Sequence, residues 1–289
     1  MPGVRPPARP PIPPSEMPPA RTLRVPGHGE LFLRDTGGDG PAVMLLHGWM
    51  ASADLNWCGA YSALSDAGYR VLAIDHRGHG RGLRPLVPFR LVDCAADAAA
   101  ALRFLELAPA LIVGYSMGGA IAQLVGRDHP DVASGIVLSG TAQHWQDPET
   151  RRTWRAMGIL GLTLSVAPRQ FWSWGFRRVR MPENERTLWV QSELMRNSAR
   201  DMAEAGRELG RFDSRPWLGS VEGPIAVVIT TRDEAVGPRK QRELAAAARG
   251  PVFEVPLHHL DIVTRGAEYN PQLLRALDAV RSPEQARVA

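Results

Sequence analysis

Several short stretches of the chain carry side chains that could take part in chemistry. The most distinctive is the run Leu111-Ile112-Val113-Gly114-Tyr115-Ser116-Met117-Gly118-Gly119-Ala120, in which an apolar segment leads into a serine flanked by glycines. This pattern predicts a strand, a sharp turn and a helix with Ser116 at the apex, because glycines leave room for the chain to reverse. Such a serine presents an exposed hydroxyl. The plainer alternative is a glycine-rich turn in which the serine only caps the helix.

A second group of polar residues lies in the run Asp75-His76-Arg77-Gly78-His79-Gly80, directly after an apolar segment. Two histidines and an aspartate so close together could bind a metal ion. The two glycines instead favour a tight loop with a structural role. We therefore predict no metal site here.

The run around Ser116 resembles the nucleophile elbow, G-x-S-x-G, of the α/β-hydrolase family. The resemblance covers roughly residues 23–280 and is weak in residues 141–217. It implies a mostly parallel, doubly wound, eight-stranded sheet with flanking helices and an inserted helical lid. It also implies that Ser116 is a catalytic nucleophile. A serine at this position argues against epoxide hydrolases and haloalkane dehalogenases, which use an aspartate there.

The same resemblance implies the other two members of a catalytic triad. Asp233 follows the apolar run of residues 224–231, where the family places its acid; Glu234 and Asp147 are the alternatives. His259 follows the last predicted strand, where the family places its histidine, and its neighbour His258 is the alternative. The order serine, aspartate, histidine is that of the family's triad.

An oxyanion hole is also implied by the resemblance. The apolar run of residues 42–46 delivers His47-Gly48-Trp49-Met50 at its carboxyl end. In the family, the residue after His-Gly and the residue after the nucleophile each supply a backbone N–H, which here are Trp49 and Met117. His47 is predicted to be a structural loop residue.

The remaining sequence predicts the elements that position these residues. Residues 23–25 and 31–34 predict a hairpin at a sheet edge, and apolar runs predict buried strands at 42–46, 69–75, 111–113, 133–140, 224–231 and 252–256. Helices are expected over 56–67, 91–107 and 270–281, and alternation with strands indicates right-handed crossovers. The predicted organisation is a proline-rich disordered tail over 1–20, a core over 21–140 and 218–289, and a lid over 141–217.

The predicted lid is rich in tryptophan and arginine. Residues 141–217 contain six of the chain's eight tryptophans. The aromatic residues favour an apolar substrate, and we place Trp49, Tyr115, Trp145 and Trp172 in the substrate pocket. Contact between this segment and a membrane surface is an alternative use of the same composition.

Composition limits the other classes of function. The 289 residues are 44% apolar and 22% charged, with a net charge of +4, two cysteines and a single lysine. No nucleic-acid-binding module, disulfide framework or secretory signal is recognisable, so we expect no nucleic-acid partner and a cytoplasmic protein. A monomer or a homodimer is compatible with this composition.

The sequence therefore predicts a serine hydrolase that cleaves a carboxylic ester of a largely apolar small molecule, without metal or organic cofactor. Hydrolysis of a carbon–carbon bond, a thioester or a lactone, and perhydrolysis, remain alternatives with the same triad. A hydrolase fold used only to bind a ligand is the alternative outside the enzymes.

Overall fold

The computed structural model of the protein describes Pro13 and residues 16–178, 181–182 and 184–281. A single sheet crosses the molecule in the strand order β1-β2-β4-β3-β5-β6-β7-β8. The strands β1 and β2 pair antiparallel, β2 is antiparallel to β4, and the other neighbours are parallel. The strands are β1 Ala20–Val25, β2 Gly29–Asp35, β3 Ala42–Leu46, β4 Arg70–Ile74, β5 Ala110–Tyr115, β6 Ala133–Ser139, β7 Ile225–Thr230 and β8 Val252–Val255. The predicted eight-stranded, mostly parallel sheet and its edge hairpin are confirmed.

Helices lie between the strands, as parallel crossovers require. They are α1 Ala53–Trp57, α2 Tyr61–Asp66, α3 Leu91–Phe104, α4 Met117–Asp128, α5 Pro148–Arg155, α6 Met157–Val166, α7 Pro168–Arg178, α8 Glu185–Leu194, α9 Ala199–Arg211, α10 Pro238–Ala248 and α11 Gly266–Val280. Every residue of β3, β5 and β7 is buried, so the continuous apolar runs of the sequence are explained by cover on both faces of the sheet.

Two helix predictions need correction. The single helix expected over 56–67 is two short helices, α1 and α2, separated at residues 58–60. The helix is interrupted there because the carbonyl of Gly59 accepts a hydrogen bond from Asn270 Nδ2 (2.7 Å). The last helix begins at Gly266, not at residue 270, and contains Pro271. Burial of Tyr269 and its hydrogen bond to Ser139 (Oη to Oγ, 2.9 Å) hold this turn in place despite the proline.

Residues 1–12, 14 and 15 of the predicted tail lie outside the described residues. The end of that segment is bound to the core, since Pro19 O accepts a hydrogen bond from Asp35 N (3.1 Å) and Pro18 O accepts one from Arg34 Nη1 (2.9 Å). Residues 141–217, which we call the helical insert, contain α5 to α9 between β6 and β7. Within the described ranges, none of the helices is both long and apolar enough to cross a membrane.

The sheet brings several loops to one edge. The strands β3, β5, β7 and β8 run parallel, so the loops that follow them emerge at the same, carboxyl, edge. This edge is where open parallel sheets bind ligands. The loops after these four strands carry Trp49, Ser116, Asp233 and His259 respectively.

Candidate active site

Ser116 occupies the sharp turn between β5 and α4. Its backbone has φ 54° and ψ −117°, a conformation that a residue with a side chain rarely adopts. At this turn the backbone passes very close to neighbouring backbone atoms. A Cβ on Gly114 would lie 2.2 Å from Gly118 O, and one on Gly118 would lie 2.0 Å from Leu46 O. The glycines that the sequence places around Ser116 are therefore required by the packing of the turn.

Hydrogen bonds connect Ser116, His259 and Asp233 in one chain. Ser116 Oγ lies 3.0 Å from His259 Nε2, and His259 Nδ1 lies 2.6 Å from Asp233 Oδ2. The Asp233 side chain is fully buried, whereas that of His259 is 17% exposed. The structure thus brings together three residues that are separated by 117 and 26 positions in the sequence.

The Asp233 carboxylate is held by further donors. Its Oδ1 accepts hydrogen bonds from the backbone N–H groups of Ala235 (2.9 Å) and Val236 (2.8 Å). Its Oδ2 accepts one from Thr230 Oγ1 (2.7 Å) in addition to the one from His259. Donors on both oxygens fix the orientation of the carboxylate toward the histidine.

The alternatives to these residues lie elsewhere. His258 is half-exposed, and its Nδ1 lies 4.0 Å from Glu234 Oε1, at the surface. Asp147 forms an ion pair with Lys240, the only lysine of the chain. His259 and Asp233, rather than these neighbours, face Ser116.

Near Ser116, two backbone N–H groups lie without an acceptor in the part of the chain that the structure describes. Among the described residues, neither Trp49 N–H nor Met117 N–H donates a hydrogen bond to another group of the protein. Met117 is the first residue of α4, and the loop that carries Trp49 is adjacent, since a Cβ on Gly48 would lie 3.3 Å from Ser116 Cβ. Unpaired N–H groups in this arrangement can bind an oxygen atom that carries negative charge.

His47 fixes the peptide plane before Trp49. Its Nδ1 lies 2.8 Å from Gly48 O, and its Nε2 accepts the N–H of His76 (3.0 Å). A carbonyl can only accept and a backbone N–H can only donate, so the neutral ring must carry its proton on Nδ1. Burial lowers the pKa of His47 well below its usual range, which maintains this neutral form. Because His47 holds the Gly48 carbonyl, the Trp49 N–H on the same plane points the other way.

The Asp75–His79 segment supports this loop from below. Asp75 Oδ1 accepts the N–H of Ala53 (2.6 Å), and Oδ2 accepts the N–H of Arg81 (2.7 Å). Burial raises the pKa of Asp75 to about 6. The His76 ring packs 4.3 Å from that of His47, and neither His76 nitrogen has a hydrogen-bond partner among the described residues.

These buried histidines predict acid lability. Burial lowers the pKa of His76 to about 3 and that of His79 to about 4, whereas the unfolded chain protonates both near 6.5. Below pH 6.5 the unfolded state therefore binds more protons, and each histidine removes about 2 kcal/mol of stability by pH 5. Asp75 acts in the opposite direction, since its raised pKa returns about 1 kcal/mol over the same interval. We expect a net loss of at least about 2 kcal/mol between pH 7 and 5.

Urea unfolding at the two pH values measures this loss. His76→Leu removes one titrating ring and should reduce the loss by about 2 kcal/mol. His258→Ala is the matched control, because it removes a half-exposed histidine that lies outside the buried cluster. An equal loss in wild type and His76→Leu would contradict the assignment.

The four aromatic residues assigned to the pocket have different surroundings. Trp49 donates its indole N–H to Met202 O (2.8 Å) and packs edge-on against Trp154 at 5.7 Å, both in the helical insert. Tyr115 is buried and donates its hydroxyl to His259 O (2.6 Å), so it supports the histidine loop. Trp145 is buried against Phe212. Trp172 lies half-buried on α7 and packs edge-on against Phe171 at 5.0 Å.

The sequence reasoning missed the residues that support the acid. Gln241, on α10, is buried and donates its side-chain N–H to Thr230 Oγ1 (3.0 Å), which in turn donates to Asp233. Gln241 lies 8 positions beyond Asp233 on a separate helix, and nothing in its local sequence indicates a site residue. Thr230 ends a buried strand as a polar residue, which is the one signal that could have found it.

Comparison with known proteins adds a family to this geometry. Residues 41–268 match the family model described as alpha/beta hydrolase fold. The chain is 29% identical over 264 residues to a non-heme chloroperoxidase of Streptomyces lividans, covering 84% of this chain and 94% of that protein. It is 34% identical over 113 residues to a bifunctional esterase/perhydrolase of Acinetobacter calcoaceticus, covering 38% of this chain and 41% of that protein.

A solved structure shares the fold over most of the chain. A hydrolase from Pseudomonas aeruginosa PA01 superposes with a TM-score of 0.78 at 23% identity, covering 90% of this chain and 98% of that one. At this identity the likeness concerns the fold alone.

Proposed function

Because the chain belongs to the α/β-hydrolase fold family, we propose that it is a serine hydrolase that cleaves carboxylic esters of small, largely apolar molecules through an acyl-enzyme. The observation that carries the proposal is the hydrogen-bonded series Ser116–His259–Asp233 at the carboxyl edge of the sheet. Each member has the chemical type and the spacing that nucleophilic catalysis requires.

Proton transfer follows from the two distances at His259. The Asp233 carboxylate is an acceptor, so the proton of the neutral imidazole resides on Nδ1 and the lone pair of Nε2 faces Ser116 Oγ. Nε2 takes the hydroxyl proton as Oγ attacks the ester carbonyl carbon. The resulting imidazolium is stabilised by the buried Asp233 carboxylate, and it returns the proton to the departing alcohol.

The negative charge of the tetrahedral intermediate develops on the former carbonyl oxygen. We assign its stabilisation to the N–H groups of Trp49 and Met117, which have no other acceptor among the described residues. A single donor of this kind typically contributes about 3 kcal/mol to lowering the barrier. Water, activated by His259 Nε2, then attacks the acyl-enzyme and releases the acid.

We expect an apolar substrate because large apolar side chains lie beside Trp49. Trp49 packs against the ring of Trp154. Met157 lies close by, since a Cβ on Gly206 would lie 2.4 Å from the Met157 sulfur and would also approach the Trp49 ring. The two side chains come from α5 and α6, and Gly206 belongs to α9. We propose that the helical insert acts as the lid of the substrate site.

Hydrolysis of p-nitrophenyl esters with acyl chains of about two to sixteen carbons tests the proposal. We expect turnover with an optimum chain length, since an apolar pocket of fixed size gains about 0.8 kcal/mol for each methylene that it buries and nothing beyond its end. A correctly folded protein that hydrolyses none of these esters would contradict the ester assignment and favour carbon–carbon bond hydrolysis or a non-catalytic role.

A second candidate function is perhydrolysis, which is supported by the names of two relatives, the non-heme chloroperoxidase and the esterase/perhydrolase. Hydrogen peroxide in place of water would attack the acyl-enzyme carbonyl, leaving a peroxy acid and regenerating the Ser116 hydroxyl. A bromination assay with acetate, hydrogen peroxide and bromide distinguishes perhydrolysis from ester hydrolysis. Peroxide-dependent bromination that is faster than ester hydrolysis would favour the perhydrolase.

A further inference from the structure

One short segment of the helical insert forms hydrogen bonds with the loop that carries Trp49. This segment, residues 193–198, includes the end of α8 and the turn before α9. Its side chains reach residues that lie more than 140 positions earlier in the sequence. The contact is made of buried and part-buried hydrogen bonds and an ion pair.

Both polar atoms of the Asn197 side chain form hydrogen bonds in this contact. Its Nδ2 donates to Met50 O (2.6 Å) and to Leu194 O (3.0 Å), and its Oδ1 accepts the N–H of Gly80 (2.8 Å). The partners fix the orientation of the amide, because a backbone N–H can only donate and a carbonyl can only accept. Asn197 therefore connects the Trp49 loop with the turn after β4.

Glu193 makes a second connection one helical turn earlier. It is buried, and its Oε2 accepts the hydroxyl of Ser52 (2.8 Å) while its Oε1 accepts a hydrogen bond from Arg81 Nη2 (3.0 Å). Ser52 also caps α1 by accepting the N–H of Leu55 (3.0 Å). A buried carboxylate with these partners ties the insert to the core.

The backbone that Asn197 holds is unusual. Met50 has φ 62°, in the left-handed region that residues with side chains seldom occupy, so surrounding contacts must maintain it. On the other side of Trp49, Gly48 is held by the core, through His47 and through Asn56 Oδ1 (2.9 Å from Gly48 N). Trp49 thus lies between one residue held by the core and one held by the insert.

We propose that Asn197 is a positioning residue that sets the oxyanion hole from the helical insert, so that the hole is complete only when the insert is seated on the core. The inference rests on the proposed serine-hydrolase function. The Trp49 side chain is also bound to the insert, since its indole N–H donates to Met202 O. Movement of the insert therefore displaces the N–H that the tetrahedral intermediate needs.

The test compares binding of the transition state with binding of the substrate. A trifluoromethyl ketone is the probe: Ser116 Oγ adds to its carbonyl carbon, the hydroxyl proton passes to His259, and the hemiketal oxygen carries the charge that the oxyanion hole binds. In Asn197→Ala we expect kcat to fall by about tenfold to a hundredfold, and the Ki of the ketone to rise by a similar factor. KM should remain within about twofold, because the ground state does not depend on the hole.

Two further variants make the result specific. Asn197→Asp keeps an acceptor for Gly80 N–H but loses the donor to Met50 O, so it should show the same loss, and it decides the test if Asn197→Ala does not fold. Asn184→Ala is the matched control, since Asn184 caps the other end of α8 by accepting the N–H of Thr187 (3.0 Å). It should lower Tm without changing the ketone Ki.

Wild-type ketone affinity in both Asn197 variants, or an equal loss in Asn184→Ala, would overturn the inference while leaving the proposed function intact. A wild-type protein that neither hydrolyses esters nor binds the ketone would overturn both.

Discussion

Replacing Ser116 with alanine should lower kcat on a p-nitrophenyl ester by at least about 10⁴-fold, because it removes the hydroxyl that lies 3.0 Å from His259 Nε2. Stability should change little. The side chain is only part-buried, and the backbone bonds that hold the turn, Ser116 N to Ser139 O (3.0 Å) and Thr141 Oγ1 to Ser116 O (2.7 Å), do not involve the removed oxygen.

Steady-state rates and a thermal unfolding curve of the same preparations make the measurement. Ser220→Ala is a suitable control. Ser220 is an exposed serine between the helical insert and β7, and it donates its hydroxyl to Trp217 O (2.7 Å). Residual activity above about one percent of wild type in Ser116→Ala, with Tm unchanged, would mean that another residue is the nucleophile.

The adjacent histidines should differ by several orders of magnitude in their effect. His259→Ala removes both the acceptor of the Ser116 proton and the partner of Asp233, so we expect kcat/KM to fall by about 10⁴-fold or more. His258→Ala removes a half-exposed ring whose Nδ1 lies 4.0 Å from Glu234 Oε1, and should leave kcat/KM within about threefold. The pair is its own control, because the two positions share a loop.

The measurement is kcat/KM on one ester for both variants, with Tm as a check of folding. Comparable losses in the two would indicate that the loop, rather than one imidazole, had been damaged. A large loss confined to His258→Ala would reverse the assignment.

Much of the sheet could be predicted because burial on both faces leaves a simple signature. The sequence segments that form β3, β5 and β7 are almost entirely apolar, and their order with the intervening helices predicts a parallel sheet. The glycines around Ser116 were equally informative, since a Cβ at Gly114 or Gly118 would overlap the backbone. Local sequence is sufficient where the constraint is local.

The sequence could not predict features that depend on distant partners. The interruption between α1 and α2 depends on Asn270, which lies 211 positions beyond Gly59, and the turns of α11 that contain Pro271 depend on buried Tyr269. The contact of Asn197 with Met50 spans 147 positions. Asparagine and glutamate near a helix end have many ordinary uses, and only the fold shows which atoms they reach.

Arg81 illustrates the same point. In the structure its guanidinium lies 3.0 Å from Glu193 Oε1 and 3.2 Å from Asp54 Oδ2, and its backbone N–H donates to Asp75. It therefore joins the turn after β4 to the helical insert, a structural role that its position in the sequence does not reveal.

Covalent labelling of Ser116 tests the central claim most directly. A serine-reactive organophosphonate should form one adduct per chain, mapped by mass spectrometry to the peptide that contains Ser116, because a hydroxyl activated by His259 attacks phosphorus as it attacks a carbonyl carbon. The adduct should be absent from Ser116→Ala and should form far more slowly in His259→Ala. A folded wild-type protein that remains unlabelled, or one that is labelled at another residue, would contradict the account.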